Sequence, residues 1–381
     1  MKCKLLDICS FRKGKIDIEN LNTKNYISTE NMLPNKCGIT DASSLPTVSL
    51  VQEYKKGDVL VSNIRPYFKK IWQAKYNGGC SNDVLVFVPK SNTDRNFLYY
   101  VLANDDFFTY SMATSKGTKM PRGDKTSIMQ YEVPMFDLNA QNKVASILKS
   151  LDEKIELNNA INNNLFEQAI SIFESEYTQF AVSKIGTLDI IVTDYVANGS
   201  FKSLKDNVSI LEEKDYAYFI RNVDLKAKEF PRFVNKHSYD FLSKSSLFGG
   251  EVIISNVGDV GSVFQCPTLD GPMTLGNNMI MLKTKSHNDY LYLLFKSYFG
   301  QAKISGITGG SAQPKFNKTD FKSLEVPYPS DYQIEKFNSK VSPLLKMVQQ
   351  LENENKCLIK LRDSLLPKLM SGELDVSELE I

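Results

Sequence analysis

The chain has 381 residues, 42% of them hydrophobic, 24% charged and 11% aromatic, which allows two or three domains with proper cores and excludes a disordered tail. The net charge of +2 excludes a strongly polyanionic or polycationic protein, and no apolar run reaches the roughly 18–20 residues that span a bilayer. Met1–Asp7 contains no apolar stretch of signal-peptide length, so a cytoplasmic protein is expected. Six cysteines at 3, 9, 37, 80, 266 and 357 form no Cys-x-x-Cys pair, and His237 and His287 are the only histidines. Free thiols in a reducing compartment are therefore expected rather than a metal site.

In chain order, the first strong signal is Gly57-Asp58-Val59-Leu60-Val61-Ser62-Asn63, a short β-branched run closed by a turn residue. It recurs 193 residues later as Gly250-Glu251-Val252-Ile253-Ile254-Ser255-Asn256. The same step carries Ile27 to Ile220, Asn31 to Asp224, Tyr99 to Tyr292, Gly117 to Gly310, Pro121 to Pro314 and Glu132-Val133-Pro134 to Glu325-Val326-Pro327. A slip of two aligns Ser81–Leu85 with Gly276–Ile280. A period this long is no solenoid unit, whose repeats run to roughly 20–50 residues. It is one domain present twice. Each copy is expected to hold strands over 58–62 and 84–88, or 251–255 and 278–282, then a short helical patch over 97–102 or 290–299. A Gly-bearing loop over 115–123 or 306–314 follows, and then a closing strand that ends in Val-Pro.

From Ala140 to Tyr177 there is neither Gly nor Pro. Val144, Leu148, Leu151, Ile155, Leu165, Ala169 and Ile172 fall on alternating steps of four and three, with Asn158 and Asn162 in the two missing places. Val341, Leu344, Val348, Leu351, Asn355, Leu358, Leu365 and Leu369 repeat the seam with Arg362 on it, and Pro343 and Pro367 are expected to kink it. Two such helices should pair antiparallel as a coiled coil. At about 34 residues and 1.5 Å per residue, each is about 50 Å long and suited to act as a ruler. The expected fold is α+β with a pseudo-two-fold internal repeat. Globular copies occupy 1–137 and 181–330, long helices 138–180 and 331–373, and a tail 374–381. Residues 1–137 hold 19 Lys and Arg against 14 Asp and Glu, and 181–330 hold 17 against 15, whereas 138–180 hold 3 against 6 and 331–381 hold 7 against 9. The globular copies are mildly basic, as an anionic partner would require.

No phosphate-cradling Gly-x-x-x-x-Gly-Lys-Ser/Thr, dinucleotide Gly-x-Gly-x-x-Gly or Gly-x-Ser-x-Gly motif is present, and neither histidine lies in a motif. One catalytic alternative exists: Asp41, Glu53 and Lys55 resemble the set that binds Mg²⁺ for phosphodiester cleavage, although the second copy lacks it. A stand-alone DNA-binding regulator with dimerising helices is the other alternative. The stronger signal is cations and amides interleaved with rings. In the first copy these are Asn63, Arg65, Tyr67, Lys69 and Lys70, then Lys116, Thr118, Lys119 and Arg122 on the Gly-bearing loop. In the second they are Arg221, Asn222, Arg232 and Lys236 beside His237, then Asn256, Ser311, Gln313 and Lys315. Arg and Lys suit guanine edges and phosphates, and Asn and Gln suit adenine edges.

The ordered whole resembles the specificity subunit of type I restriction-modification enzymes over nearly its full length. Each copy ends in Val-Pro and its helix opens with Gln, at Gln141 and Gln333. Ile147-Leu148-Lys149-Ser150-Leu151-Asp152-Glu153-Lys154-Ile155 is similar to that family's first helical region, and Leu365-Leu366-Pro367-Lys368-Leu369-Met370-Ser371-Gly372-Glu373-Leu374 to its terminal one. The second helix departs by running Ser342-Pro343-Leu344-Leu345-Lys346 in place of a Leu-Asp-Glu-Lys-Ile segment. The resemblance implies two target-recognition domains, each reading half of a bipartite gapped sequence of double-stranded DNA in the major groove. It also implies a helix pair that fixes the gap and docks two adenine methyltransferase subunits. No catalytic residue, metal or cofactor is then expected in this chain. S-adenosylmethionine and Mg/ATP would belong to the methyltransferase and restriction subunits, and no membrane is involved.

Overall fold

The structure is a computed structural model that describes residues 2–310 and 312–376. Two compact units divide it within the long helices: one comprises residues up to Asn158 with those from Asn353 on, the other Asn159–Glu352. Each unit therefore owns one globular copy and one part of each helix.

In the first unit a four-stranded sheet runs in the order Cys9–Phe11, Val84–Pro89, Val59–Ser62, Ile71–Gln73. The central strand Val59–Ser62 is buried throughout because its two faces feed two cores. Val59 and Val61 pack with Phe97, Val144, Leu148, Leu366 and Leu369, while Leu60 packs with Ile27, Tyr54 and Trp72 under a second sheet. A strand with both faces covered reads as a continuous apolar run, which is what Val-Leu-Val is. The second unit repeats this. Its sheet runs Ile191–Asp194, Met279–Lys283, Val252–Ser255, Val263–Gln265. Val252 and Ile254 face Ala169, Phe173, Val341 and Leu345, and Ile253 faces Ile220, Met273 and Met281.

The pairing register reproduces the sequence steps. The parallel pair Ile27↔Cys80 corresponds to Ile220↔Leu275, and the closing antiparallel pair Lys4↔Glu132 to Lys184↔Glu325. Lys4 and Lys184 are 180 residues apart and Ile27 and Ile220 are 193 apart, so the second copy carries 13 more residues early on. These supply the helix Phe201–Asn207 and the strand Ile210–Leu211, which with Phe233–Val234 extends the second sheet beyond Ala217–Ile220. The equivalent strand in the first copy, Tyr26–Ile27, is an edge. The single helical patch expected after the core strands is in fact two helices in each copy: Arg95–Ala103 with Asp105–Ala113, and Asn288–Lys296 with Tyr298–Ile307.

The long helices span Leu138–Glu176 and Asp331–Ser371, 39 and 41 residues. The second runs unbroken through Pro343 and Pro367. Both prolines are exposed, as are Ser339 and Asp363, whose carbonyls the rings deprive of partners, so water can satisfy them. Within the first unit the helices are antiparallel: Asn158 Nδ2 donates to Asn355 Oδ1 (2.9 Å) and Glu354 Oε2 (2.8 Å), and Arg362 pairs with Asp152 (2.8 Å). The second unit has the same sense, with Lys340 on Glu176 and with Val341 and Leu345 in one core with Ala169 and Phe173. Gln141 is buried. It accepts from Asp94 N (2.8 Å) and donates to the Asn92 and Phe136 carbonyls (3.1 and 2.9 Å), fastening the helix start to the domain. Gln333 caps its own helix at Ser330 (2.9 Å).

Candidate nucleic-acid interface

In both copies the chain leaves the central strand through an asparagine and is met by the Gly-bearing loop. In the first, Arg122 bridges both Lys116 and Ile64. Lys116 and Arg122 exchange two backbone bonds of 2.9 Å, Arg65 N donates to Pro121 O (2.8 Å), and Gly123 N donates to Asn63 O (3.1 Å). In the second, Lys315 bridges Gly309 and Val257. Gly309 and Lys315 exchange bonds of 2.9 and 2.8 Å, Gly258 N donates to Pro314 O (2.9 Å), and Phe316 N donates to Asn256 O (3.1 Å). Each bond is displaced by 193 residues. The slip of two is visible as well, since Asn63 N donates to Asp83 O and Asn256 N to Asn278 O. Gly117 and Gly310 both have φ of +92°, a region that side chains rarely enter. Two tight loops of one backbone design thus present different tips: Thr118, Lys119 and Met120 in one, Ala312 and Gln313 in the other, all exposed. Ser311 lies outside the described residues.

Around the first loop the other candidates are braced. Arg65 and Lys69 are left-handed, each with φ of 50°, flanking a turn over Pro66–Phe68 that exposes Tyr67 against Phe68 (ring centroids 4.7 Å apart). Lys69 shares Asp105 with Lys36, each at 2.8 Å. Lys70 donates to Thr29 O (2.6 Å) beneath Phe68, and partial burial holds its pKa below the ordinary lysine value. Lys116 pairs with Asp124 (3.1 Å) and Arg122 with Asp83 (3.1 Å). Lys119 has no side-chain partner among the described residues, and neither has Lys315.

The second copy divides its candidates. Asn222 joins the loop, donating to Asp259 (3.1 Å) and Ser255 (3.4 Å). Asp259, also held by Lys226 (2.6 Å) and Ser262 (2.7 Å), has its pKa pulled down to about 2 by those bonds. Arg221 is a bidentate clamp on Asp224 (2.8 and 2.6 Å). Arg232 is engaged by Glu212 and Lys236 by Asp240 (3.1 Å). His237 meets Asn207 (3.3 Å). Among the described residues no hydrogen bond or ion pair brings these last three to the loop, so the sequence cluster Arg221, Asn222, Arg232, Lys236 and His237 is not one site. Nothing in the sequence singles out Lys226, Asp259, Lys36 or Asp105, whose partners are set only by the fold. Buried side-chain atoms without a partner also collect here: Asn63 Oδ1, Arg65 Nε, Asn222 Oδ1 and Asn256 Oδ1 are four of seven among the described residues. Polar atoms left open beside exposed loops are capacity for a polar ligand.

The nuclease set is not assembled. Glu53 sits on Arg12 (3.6 Å) and Lys55 (3.7 Å), whereas Asp41 lines a polar pocket of about 470 Å³ with Tyr26, Asn31 and Asp83. Among the described residues no three His, Cys, Asp or Glu side chains are grouped to hold a metal ion, and no helix is long and apolar enough to cross a membrane. Cys9 and Cys80 are buried, which pushes both thiols up to about 12.

A duplicated domain that offers two loops on one backbone plan, each tied to a paired helix, defines a class of two-surface recognition proteins. The sequence model of the Type I restriction modification DNA specificity domain matches residues 1–167 and 192–360. The chain belongs to that family. It is 23% identical to the Type I restriction enzyme HindI specificity subunit of Haemophilus influenzae, over 92% of this chain and 94% of that one. It is 21% identical to the MjaIX specificity subunit of Methanocaldococcus jannaschii, over 77% and 72%. The fold is similar to the crystal structure of the type I restriction-modification S subunit from M. genitalium, with a TM-score of 0.58 and 17% identity over 97% and 96% of the chains.

Proposed function

We infer that this chain is the DNA-reading subunit of a type I restriction-modification complex and that each loop surface recognises one half of a bipartite, gapped target. The observation that carries this is the loop built twice with the same backbone bonds and different tips, Lys116–Arg122 and Gly309–Lys315. Asn63, Arg65, Tyr67, Thr118, Lys119 and Arg122 are the proposed contacts for one half, and Asn222, Asn256, Gln313 and Lys315 for the other. Because the tips differ, the target is asymmetric rather than palindromic. A helix of 39 residues is about 58 Å long, somewhat more than one and a half turns of duplex at about 34 Å per turn, so the helix pair suits the role of setting the gap.

The chain would work in the cytoplasm with two adenine methyltransferase subunits that carry S-adenosylmethionine, and with restriction subunits that use Mg and ATP. Mapping methylated adenines in cells that express the complex tests this. The expected result is one asymmetric bipartite sequence with a fixed gap, and replacing residues 1–137 by another member's first domain should change one half alone. A change in both halves would sink the two-reader mechanism. Failure to co-purify with a methyltransferase would instead favour a stand-alone regulator.

A further inference from the structure

The two helix seams are nearly interchangeable. One step of 193 residues matches Leu148 to Val341, Leu151 to Leu344, Ile155 to Val348, Leu165 to Leu358 and Ile172 to Leu365, apolar against apolar in every case. Such seams do not by themselves dictate that the first helix pairs with the second of its own chain. The first helix of another copy would present the same apolar row.

One cluster breaks the equivalence. In the first unit, Asp152 accepts from Tyr100 Oη (2.7 Å) and from Arg362 (2.8 Å). Tyr100 is 3% exposed, and the Asp152 and Arg362 side chains are 24% and 19% exposed. The positions one step away in the second unit are Leu293, Leu345 and Ala169, which are 0%, 7% and 0% exposed and share one apolar core. A hydrogen-bonded ion pair in one unit thus stands where the other has plain packing. Asn158 adds a second layer, since its bond to Glu354 corresponds to Leu351 and Ile161 one step away.

We propose that the Tyr100–Asp152–Arg362 cluster selects the helix partner, enforcing pairing of a first long helix with a second one and excluding pairs of two first or two second helices drawn from different copies. If two first helices paired, Asp152 and Tyr100 would face Ala169 of the other copy, leaving a half-buried carboxylate without its cation. If two second helices paired, Arg362 would face Leu345. Removing one partner of a buried pair costs far more than the pair itself contributes, whereas replacing the whole set by apolar residues is tolerated. The cluster therefore acts against wrong pairings more than in favour of the right one. Asp152, Arg362 and Tyr100 are positioning residues in this scheme, and it holds whatever DNA sequence the loops read.

The test uses full-length chains with two different affinity tags, mixed, unfolded in denaturant and refolded together. Wild type is expected to show little capture of one tag by the other. The variant Tyr100→Leu/Asp152→Leu/Arg362→Ala, which copies the second unit's residues, should refold with native helix content and raise cross-capture by about ten-fold or more. The charge exchange Asp152→Arg/Arg362→Asp should stay near wild type. If the apolar variant does not fold, Asp152→Asn/Arg362→Gln, neutral at both positions, carries the same measurement. Cross-capture equal to wild type in a folded neutral or apolar variant overturns the proposal and leaves the cluster a purely structural contact.

Discussion

The two loops share a backbone and differ in how they hold it. In the first copy the residue after the bridge is Arg65, forced into a left-handed conformation at φ 50°; in the second it is Gly258 at φ 76°, where no strain arises. The first loop is surrounded by cations balanced on Asp83, Asp105 and Asp124, and the second by one acidic hub, Asp259, that gathers Asn222, Lys226 and Ser262. The lesson is that main-chain bonds set the loop and side chains only tune its surface. A left-handed arginine beside an exposed loop is strain held by the surrounding structure, which fits the contact proposed for its side chain.

The sharpest way to break the parallel is at the glycines. A Cβ on Gly310 would lie 2.6 Å from Gln313 O, against 3.4 Å between Gly117 and Met120 O. Gly310→Ala should cost about 2–4 kcal/mol and abolish recognition of one half-site, and Gly117→Ala about 1 kcal/mol. Thermal unfolding and competition with duplexes altered in one half measure both. Equal costs would show that the loops are anchored differently from the bonds described.

Arg65→Gly should separate stability from binding. The first copy then matches the second, gaining about 0.5–1 kcal/mol in unfolding free energy. Affinity for DNA should fall by about ten-fold at low salt as a cation is lost. A loss of stability would show that Arg65 is held without strain.

Lys119 has no side-chain partner among the described residues and sits opposite Ala312 in the repeat. Lys119→Ala should flatten the logarithmic salt dependence of binding by about one ion, and Ala312→Lys should steepen it by about one. Lys69→Ala, which removes a cation already balanced by Asp105, should change it less.

The smallest effect concerns acid. The folded Asp259 has a pKa of about 2, below the ordinary carboxylate value of about 3.9, so its contribution is complete above that value and fades as pH falls toward 2. With its side chain 42% exposed, screening limits the contribution to less than about 1 kcal/mol. The difference in melting temperature between wild type and Asp259→Asn should be present at pH 5 and gone near pH 2. The first copy has Pro66 at this position, and the carboxylate beside its loop that is lowered to a similar degree is Asp124, held by Ser127 and Lys116.

Much of this was legible in the chain. The step of 193 residues, with its slip of two, anticipated the bridges and the hydrogen bonds of the second loop from those of the first. The seam residues, Asn158 and Asn162 among them, are all buried or half-buried, although Phe173, Phe337 and Leu366 are buried off that seam. What could not be read was which cations are free. Lys69, Lys116, Arg122, Arg232 and Lys236 look alike along the chain, but their carboxylate partners are set by the fold and, for Lys69, Arg122 and Arg232, lie 20 to 39 residues away in sequence. Nor could the extended second sheet be read, because its outermost strand, Ile210–Leu211, lies in the inserted segment without a counterpart in the first copy, and Phe233–Val234 stands where the first copy has Thr40 and Asp41 outside any strand.

Gln141 reaches three backbone groups from the first turn of its helix, whereas Gln333 reaches only the residue that caps its own. The loops, by contrast, are closed by main-chain bonds that, away from Gly117 and Gly310, do not depend on side-chain identity beyond excluding proline at a donor. A mutation at Gln141 therefore damages the frame, and a mutation at Thr118 or Gln313 leaves the frame untouched. Under selection for new targets, the chain can exchange its tips residue by residue while every intermediate still folds.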